Sequence, residues 1–208
     1  MEGILKYIIL VPVILFAMTI HEFAHGFVAY LLGDDTAKKM GRLTLNPISH
    51  IDILGFIALF IAHIGWAKPV PIDISKAKKV HPRLALLLIA LAGPMANFIS
   101  AYIFSKLIFI IHNLALPESV KVPLIYFCTF GVILNIGFGV FNLLPLPPLD
   151  GYRILEALLP ENILYKLRKI EPYSFIILLL ILFFPPTSKI IGNIVNYLSY
   201  LLLKSYLY

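Results

Sequence analysis

The chain has 208 residues, of which 60% are hydrophobic and 13% charged, and its mean hydropathy is +0.92. A soluble domain carries about a quarter charged residues, so this composition excludes an ordinary soluble globule and predicts a polytopic membrane protein with little mass left for soluble domains. The net charge of +6 does not imply nucleic acid, because the basic residues cluster in loops between apolar runs, as in the cytoplasmic loops of membrane proteins.

In chain order, the first apolar run is Ile4–Leu32. Its only Asp, Glu, Lys, Arg or His residues are Lys6, His21, Glu22 and His25. It is too long for a signal-peptide core and is read as a retained span, ending at the helix stop Gly33-Asp34-Asp35. Ile53–Trp66 is apolar but about half the length of a span. After it, Trp66–Ile72 alternates apolar residues and contains Pro69 and Pro71, which predicts an extended, edge-strand-like piece. Such an edge could accept a substrate strand by β-augmentation. Leu84–Ile111, with Gly93-Pro94 inside it, and Val122–Leu144 are full spans. Phe175–Phe184 is short and stops at Pro185-Pro186, and Ile190–Leu203 is made more polar by Asn193 and Asn196. No internal repeat or low-complexity linker is visible. The expected fold is all-α: a membrane helix bundle with a short re-entrant or β-like segment, about residues 53–72, between the first two core spans. Residues 1–160 would form the core, and 161–208 one or two further membrane helices.

Topology turns on Ile53–Trp66. Lys38, Lys39 and Arg42 precede it, and Lys68, Lys76, Lys78, Lys79 and Arg83 follow it. The positive-inside rule puts both groups in the cytoplasm, so the piece between them should not cross. With that parity the loop Asp150–Glu171, carrying Arg153, Lys166, Arg168 and Lys169, is cytoplasmic too. Asp150 then lies on the side of the membrane toward which His21 and His25 face.

His21-Glu22-Phe23-Ala24-His25 is an HExxH motif inside a span. Ionisable groups at that depth are costly unless they pair or bind something. On a helix the two histidines share a face, about 5–6 Å apart at Cβ. That spacing suits one Zn²⁺, with the adjacent Glu placed to act on water. A catalytic zinc takes three protein ligands and keeps one position open, so a third ligand must come from elsewhere. Asp150 is the best candidate: it lies just past a span, after Pro145, Pro147 and Pro148 and before Gly151. The prolines predict an extended approach, and the glycine a tight turn. Alone, Asp150 reads as a solvated turn residue; beside HExxH it reads as a ligand.

HEFAH in a span, Ala92-Gly93-Pro94-Met95-Ala96-Asn97 in a later one, and Asn142…Asp150-Gly151 after a third strongly resemble the site-2 protease family of intramembrane zinc metalloproteases. Gly41-Arg42-Leu43-Thr44-Leu45-Asn46-Pro47 and Gly65-Trp66-Ala67-Lys68-Pro69-Val70-Pro71 are similar to its small prokaryotic branch, without the PDZ or nucleotide-sensing domain of many relatives. The resemblance spans about residues 10–160. It implies one zinc held by His21, His25 and Asp150, with Glu22 as general base. Asn142, eight residues before Asp150, matches the family's asparagine near the metal; with zinc in place, Asn142 and Asn97 are candidates to hydrogen-bond substrate or oxyanion. The resemblance also implies transmembrane protein substrates, a lipid bilayer as surroundings, and a prokaryotic plasma membrane with the site toward the cytoplasm.

Asn97 has a structural alternative, as a bridge between helices or a partner for backbone freed by Pro94. His50 is expected to cap its loop, and His63 flanks the re-entrant piece. His81 is expected to be solvated, His112 interfacial, and Lys106 to snorkel. Cys128 reads as a small buried hydrophobe. A metal-ion transporter could use the same His/Glu/Asp cluster, but a carrier should show repeat symmetry and matched broken helices.

Overall fold

The computed structural model describes residues 2–62 and 65–204, so His63 lies outside the described residues. Nine helices are present among them: α1 (Glu2–Leu32), α2 (Thr36–Lys39), α3 (Ile53–Ala62), α4 (Pro82–Asn113), α5 (Glu118–Asn142), α6 (Asp150–Leu158), α7 (Glu161–Arg168), α8 (Ser174–Phe183) and α9 (Pro185–Leu203). Ile8–Leu32, Pro82–Asn113 and Glu118–Asn142 are each long and apolar enough to cross a membrane. At 1.5 Å per residue they exceed the roughly 30 Å hydrocarbon thickness. Glu161–Phe183 and Pro185–Leu203 form a further apolar pair, bent by 74°. The break falls where Pro185-Pro186 removes helical donors. These helices make the chain a multi-pass membrane protein.

The bundle is organised around α4, which packs against α1, α5 and α6. Ala101, Phe104, Ile108 and Ile111 of α4 meet Cys128, Val132 and Ile136 of α5, and Val195, Leu198 and Leu202 of α9 cover them. Two glycines set this approach. A Cβ at Gly131 would fall 2.6 Å from Phe104 Cγ, and one at Gly139 would fall 2.6 Å from Phe98 Cε1. Small residues let membrane helices close up where water supplies no driving force. On the outside, Ile99, Ile103 and Ile110 are more than half exposed, as suits a lipid-facing surface.

The loops are tied by backbone chemistry. α1 stops at Gly33, whose φ of +111° favours glycine. Asp34 follows, fully buried. Its Oδ1 accepts from Thr36 N at 3.0 Å and its Oδ2 from Asp73 N at 2.6 Å, joining the two loops. His81 is exposed and caps α4, its Nδ1 accepting from Arg83 N at 3.3 Å. His50 is buried and donates from Nε2 to Thr44 O at 2.8 Å, closing its loop. Cys128 is buried in the core.

Two sequence expectations need correction. The β-like segment is not a strand: among the described residues there is no strand, only an isolated antiparallel bridge between Ile51 and Ala67. The physical reason is donor supply. Pro69 and Pro71 have no N–H, Val70 N–H goes to the Glu22 carboxylate, and the Lys68 and Pro69 carbonyls accept from Arg42. Little backbone capacity is left for a ladder. The proline-rich approach to Asp150 is likewise compact, not extended. Leu146 N donates to Leu144 O at 2.8 Å and Leu149 N to Leu146 O at 2.9 Å, and the Pro147–Pro148 peptide is cis.

Gly131→Ala should therefore lower the unfolding midpoint in detergent, by an overpacking cost of about 1–3 kcal/mol. Adding Phe104→Leu should recover part of the loss. An unchanged midpoint in Gly131→Ala would show that the α4–α5 contact tolerates the extra methyl.

Candidate metal centre

His21 and His25 lie on one face of α1, eleven and seven residues before its end at Leu32. That places them about 10–17 Å along the axis from the helix end, inside the apolar stretch. Asp150 is the first residue of α6, brought to them because α6 packs on α4. The three are 6%, 7% and 9% exposed.

Their donor atoms converge. His21 Nε2 and His25 Nε2 are 3.0 Å apart, and Asp150 Oδ2 lies 3.1 Å from the first and 3.2 Å from the second. The opposite ring nitrogens are committed elsewhere. His25 Nδ1 donates to Ile89 O at 2.6 Å, and His21 Nδ1 to Asn97 Oδ1 at 2.7 Å. A backbone carbonyl can only accept, so in a neutral imidazole the His25 proton sits on Nδ1 and Nε2 carries a lone pair. The same holds for His21 against the Asn97 amide oxygen. Two lone pairs and a carboxylate oxygen then face one another with no proton among them, and Asp150 Oδ2 has no hydrogen-bond partner. Such a cluster repels itself unless a cation sits within it.

The geometry fits a metal. Tetrahedral bonds of about 2.0–2.1 Å put ligand atoms about 3.3 Å apart, close to the observed triangle. Two imidazoles and a carboxylate suit zinc, and a fourth position remains for water or substrate. His21, His25 and Asp150 are also the one group of three or more metal-competent side chains found among the described residues.

Sequence reasoning missed two features that shape this centre. Gly93 of α4 lies directly against the rings: a Cβ there would be 2.4 Å from His25 Nε2 and 2.6 Å from His21 Cε1. The Gly93-Pro94 pair was visible, but as a helix irregularity and not as the floor of a site. Gly151 matters for a different reason than a turn. It is helical, and a Cβ would fall 2.3 Å from Leu143 O and 2.4 Å from Leu144 O. Tyr152 next to it donates its hydroxyl to Glu171, anchoring α6. Burial and the Glu171 carboxylate push that phenol up, so it keeps its proton.

The other expected site residues fall as follows. Glu22 is partly buried, and its Oε2 accepts from Val70 N at 2.7 Å. Arg42 Nη2 holds the same segment through Lys68 O at 2.7 Å and Pro69 O at 3.3 Å. Asn97 is fully buried and touches His21 directly. Asn142 ends α5, with Nδ2 donating to Phe138 O at 3.0 Å. Among the described residues it contacts none of the three converging side chains through a hydrogen bond.

The sequence profile of Peptidase family M50 matches residues 104–184, a stretch that includes Asn142 and Asp150. The chain is 42% identical over 196 residues to a Bacillus subtilis protein named "Putative zinc metalloprotease YwhC", covering 93% of this chain and 88% of that one. The chain belongs to peptidase family M50, the site-2 proteases. Among further relatives of this M50 protein is "Putative zinc metalloprotease Rip2" of Mycobacterium tuberculosis, 32% identical over 183 residues, 83% of this chain and 65% of its own. Another is "Zinc metalloprotease MJ0392" of Methanocaldococcus jannaschii, 25% identical over 162 residues, 78% of this chain and 38% of its own. No solved structure matches at a significant level. Family membership makes the M50 chain a metalloendopeptidase, and the transporter alternative is not favoured.

Gly93→Ala should cost the protein its metal while leaving the bundle assembled, because the methyl occupies the space of the two rings. Zinc measured on detergent-purified protein should fall well below the wild-type ratio, with the helical signal retained. Full zinc content in Gly93→Ala would show that the rings are not held as described.

Proposed function

We propose that the protein is an intramembrane zinc endopeptidase that hydrolyses peptide bonds in or near transmembrane segments of other proteins. The metal is zinc, matching the donor set and the relatives named as zinc metalloproteases. One observation carries the reading: three aprotic donor atoms within 3.2 Å of one another, set between helices whose outer surface is apolar.

His21, His25 and Asp150 would hold the ion. Bound zinc supplies Lewis acidity, making water a usable nucleophile near neutral pH and polarising the peptide carbonyl. The chain's own residues do the rest. Glu22 follows His21 on α1 and acts as general base, taking a proton from the attacking water and passing it to the leaving amine. The Val70 N–H occupies Oε2 of Glu22, a charge-assisted bond that orients the carboxylate and leaves Oε1 for proton transfer. Asn142 donates to substrate or oxyanion, for which its Nδ2 must leave Phe138 O. The substrate helix must unwind locally, because a helix shields its own peptide bonds.

Residues 1–160 form the catalytic core and 161–208 a C-terminal membrane segment. The α3 piece is re-entrant. This reading is supported by its ten-residue length and by the bridge joining Ile51 to Ala67 across its base. Twelve of the seventeen Lys and Arg residues lie in loops 33–52, 67–83 and 150–171, which favours a cytoplasmic position for all three. The site then opens toward the cytoplasm of a prokaryotic cell.

The test uses membranes expressing the protein with a single-pass substrate. Wild type should cleave it, and Glu22→Gln should lose activity by about 10²-fold or more while keeping zinc. Asp150→Ala should lose both zinc and activity. Equal cleavage by wild type and Glu22→Gln would end the assignment of Glu22 as base. About one zinc per chain in Asp150→Ala would remove Asp150 as a ligand.

A further inference from the structure

We propose that Asn135 is a positioning residue for the metal centre, acting through Asn97 to hold His21 with its Nε2 lone pair toward His25 and Asp150. The proposal rests on the reading of His21 as a metal ligand.

Asn97 and Asn135 are both fully buried in an apolar bundle, where unsatisfied amides are costly. Their partners form a directed chain. Asn135 Nδ2 donates to Gly131 O at 2.8 Å. Asn135 Oδ1 accepts from Asn97 Nδ2 at 3.0 Å, and the same Nδ2 donates to Ala17 O at 3.0 Å. Asn97 Oδ1 accepts from His21 Nδ1 at 2.7 Å. The chain thus runs from α5 through α4 to α1.

Both ends are backbone carbonyls, Gly131 O and Ala17 O, and a carbonyl can only accept. That fixes which way each amide faces. If Asn97 were flipped, its oxygen would face two acceptors, Ala17 O and Asn135 Oδ1, while its NH₂ faced the His21 Nδ1 proton. With Asn135 in place, both Asn97 N–H bonds are used and the amide has one acceptable orientation. Without Asn135, one N–H loses its acceptor and that orientation is no longer enforced from the α5 side. A ligand histidine whose outer nitrogen is held by a carbonyl oxygen has its tautomer and ring angle set. Asn97 is that holder for His21, and Asn135 holds the holder. Both Asn97 N–H bonds are spent within the protein, so in this arrangement it has no donor left for substrate or oxyanion and acts as a positioning residue.

The experiment measures zinc affinity by competition with a chromophoric chelator in detergent micelles. It is paired with the thermal midpoint of the zinc-stripped protein, and zinc alone is the probe. Asn97→Leu should weaken binding about 10-fold or more, and Asn135→Leu more than about threefold. The double variant should be no weaker than Asn97→Leu alone, because both act along one path. Asn135→Asp keeps an oxygen for Asn97 and can offer a proton to Gly131 O, so it should stay within about threefold of wild type. If Asn135→Leu does not fold, Asn135→Ala takes its place with the same expectation.

A purely structural asparagine would lower the zinc-free midpoint and leave affinity unchanged. Affinity of the Leu or Ala variant within about threefold of wild type overturns the proposal. So do losses that multiply in the double variant, or an Asp variant as weak as Leu. Wild type without zinc, or His21→Ala binding as well as wild type, would instead overturn the metal reading on which the proposal stands.

Discussion

The constraint on which the rest depends is electrostatic. Two imidazole lone pairs and a carboxylate oxygen converge within 3.2 Å inside an apolar helix bundle. Water cannot solvate them freely there, and ionisable groups in a membrane are retained only when something compensates them. Their mutual repulsion is tolerable only with a cation among them, and the surrounding fold keeps them aimed at that point. The committed Nδ1 atoms are the means: each histidine donates outward to an oxygen, which turns its acceptor nitrogen inward.

Close helix approach makes that arrangement possible. α4 runs against α1 with Gly93 under the histidine rings, and α6 reaches the site because Gly151 lets it sit against the Leu143 and Leu144 carbonyls. Gly131 and Gly139 do the same service between α4 and α5, where the buried apolar core lies. The spacing of polar groups therefore follows from where side chains are missing. In a membrane, where lipid is as apolar as leucine, such packing and interhelical hydrogen bonds hold a bundle together.

The Lys68–Pro71 segment shows how the same fold holds Glu22, the proposed general base. Arg42 binds its carbonyls, His50 O accepts from Lys68 N at 2.9 Å, and Val70 N–H is left to meet Glu22. Val70 is buried against α1, where a Cβ on Gly26 would touch it at 3.0 Å. Its backbone polar groups are thus met by the Arg42 side chain, the His50 carbonyl and Glu22 of α1.

The sequence alone determined the three spans, the break at Pro185-Pro186 and the pairing of His21 with His25, because hydropathy and the HExxH spacing are local properties of the chain; Asp150 was a candidate from its place after a span, joined to them by the family resemblance. The helices begin and end within a few residues of the apolar runs. Only the tertiary structure decided that Trp66–Ile72 is not a strand and that the prolines before Asp150 lie in a compact turn. In each case the outcome depended on which distant group took the backbone donors and acceptors. It alone placed Gly93 beneath the rings and Asn97 on His21, residues 72 and 76 positions along the chain from that histidine. Periodicity reports which face of a helix is apolar. It carries no information on how closely two helices approach, and that distance is what built the centre.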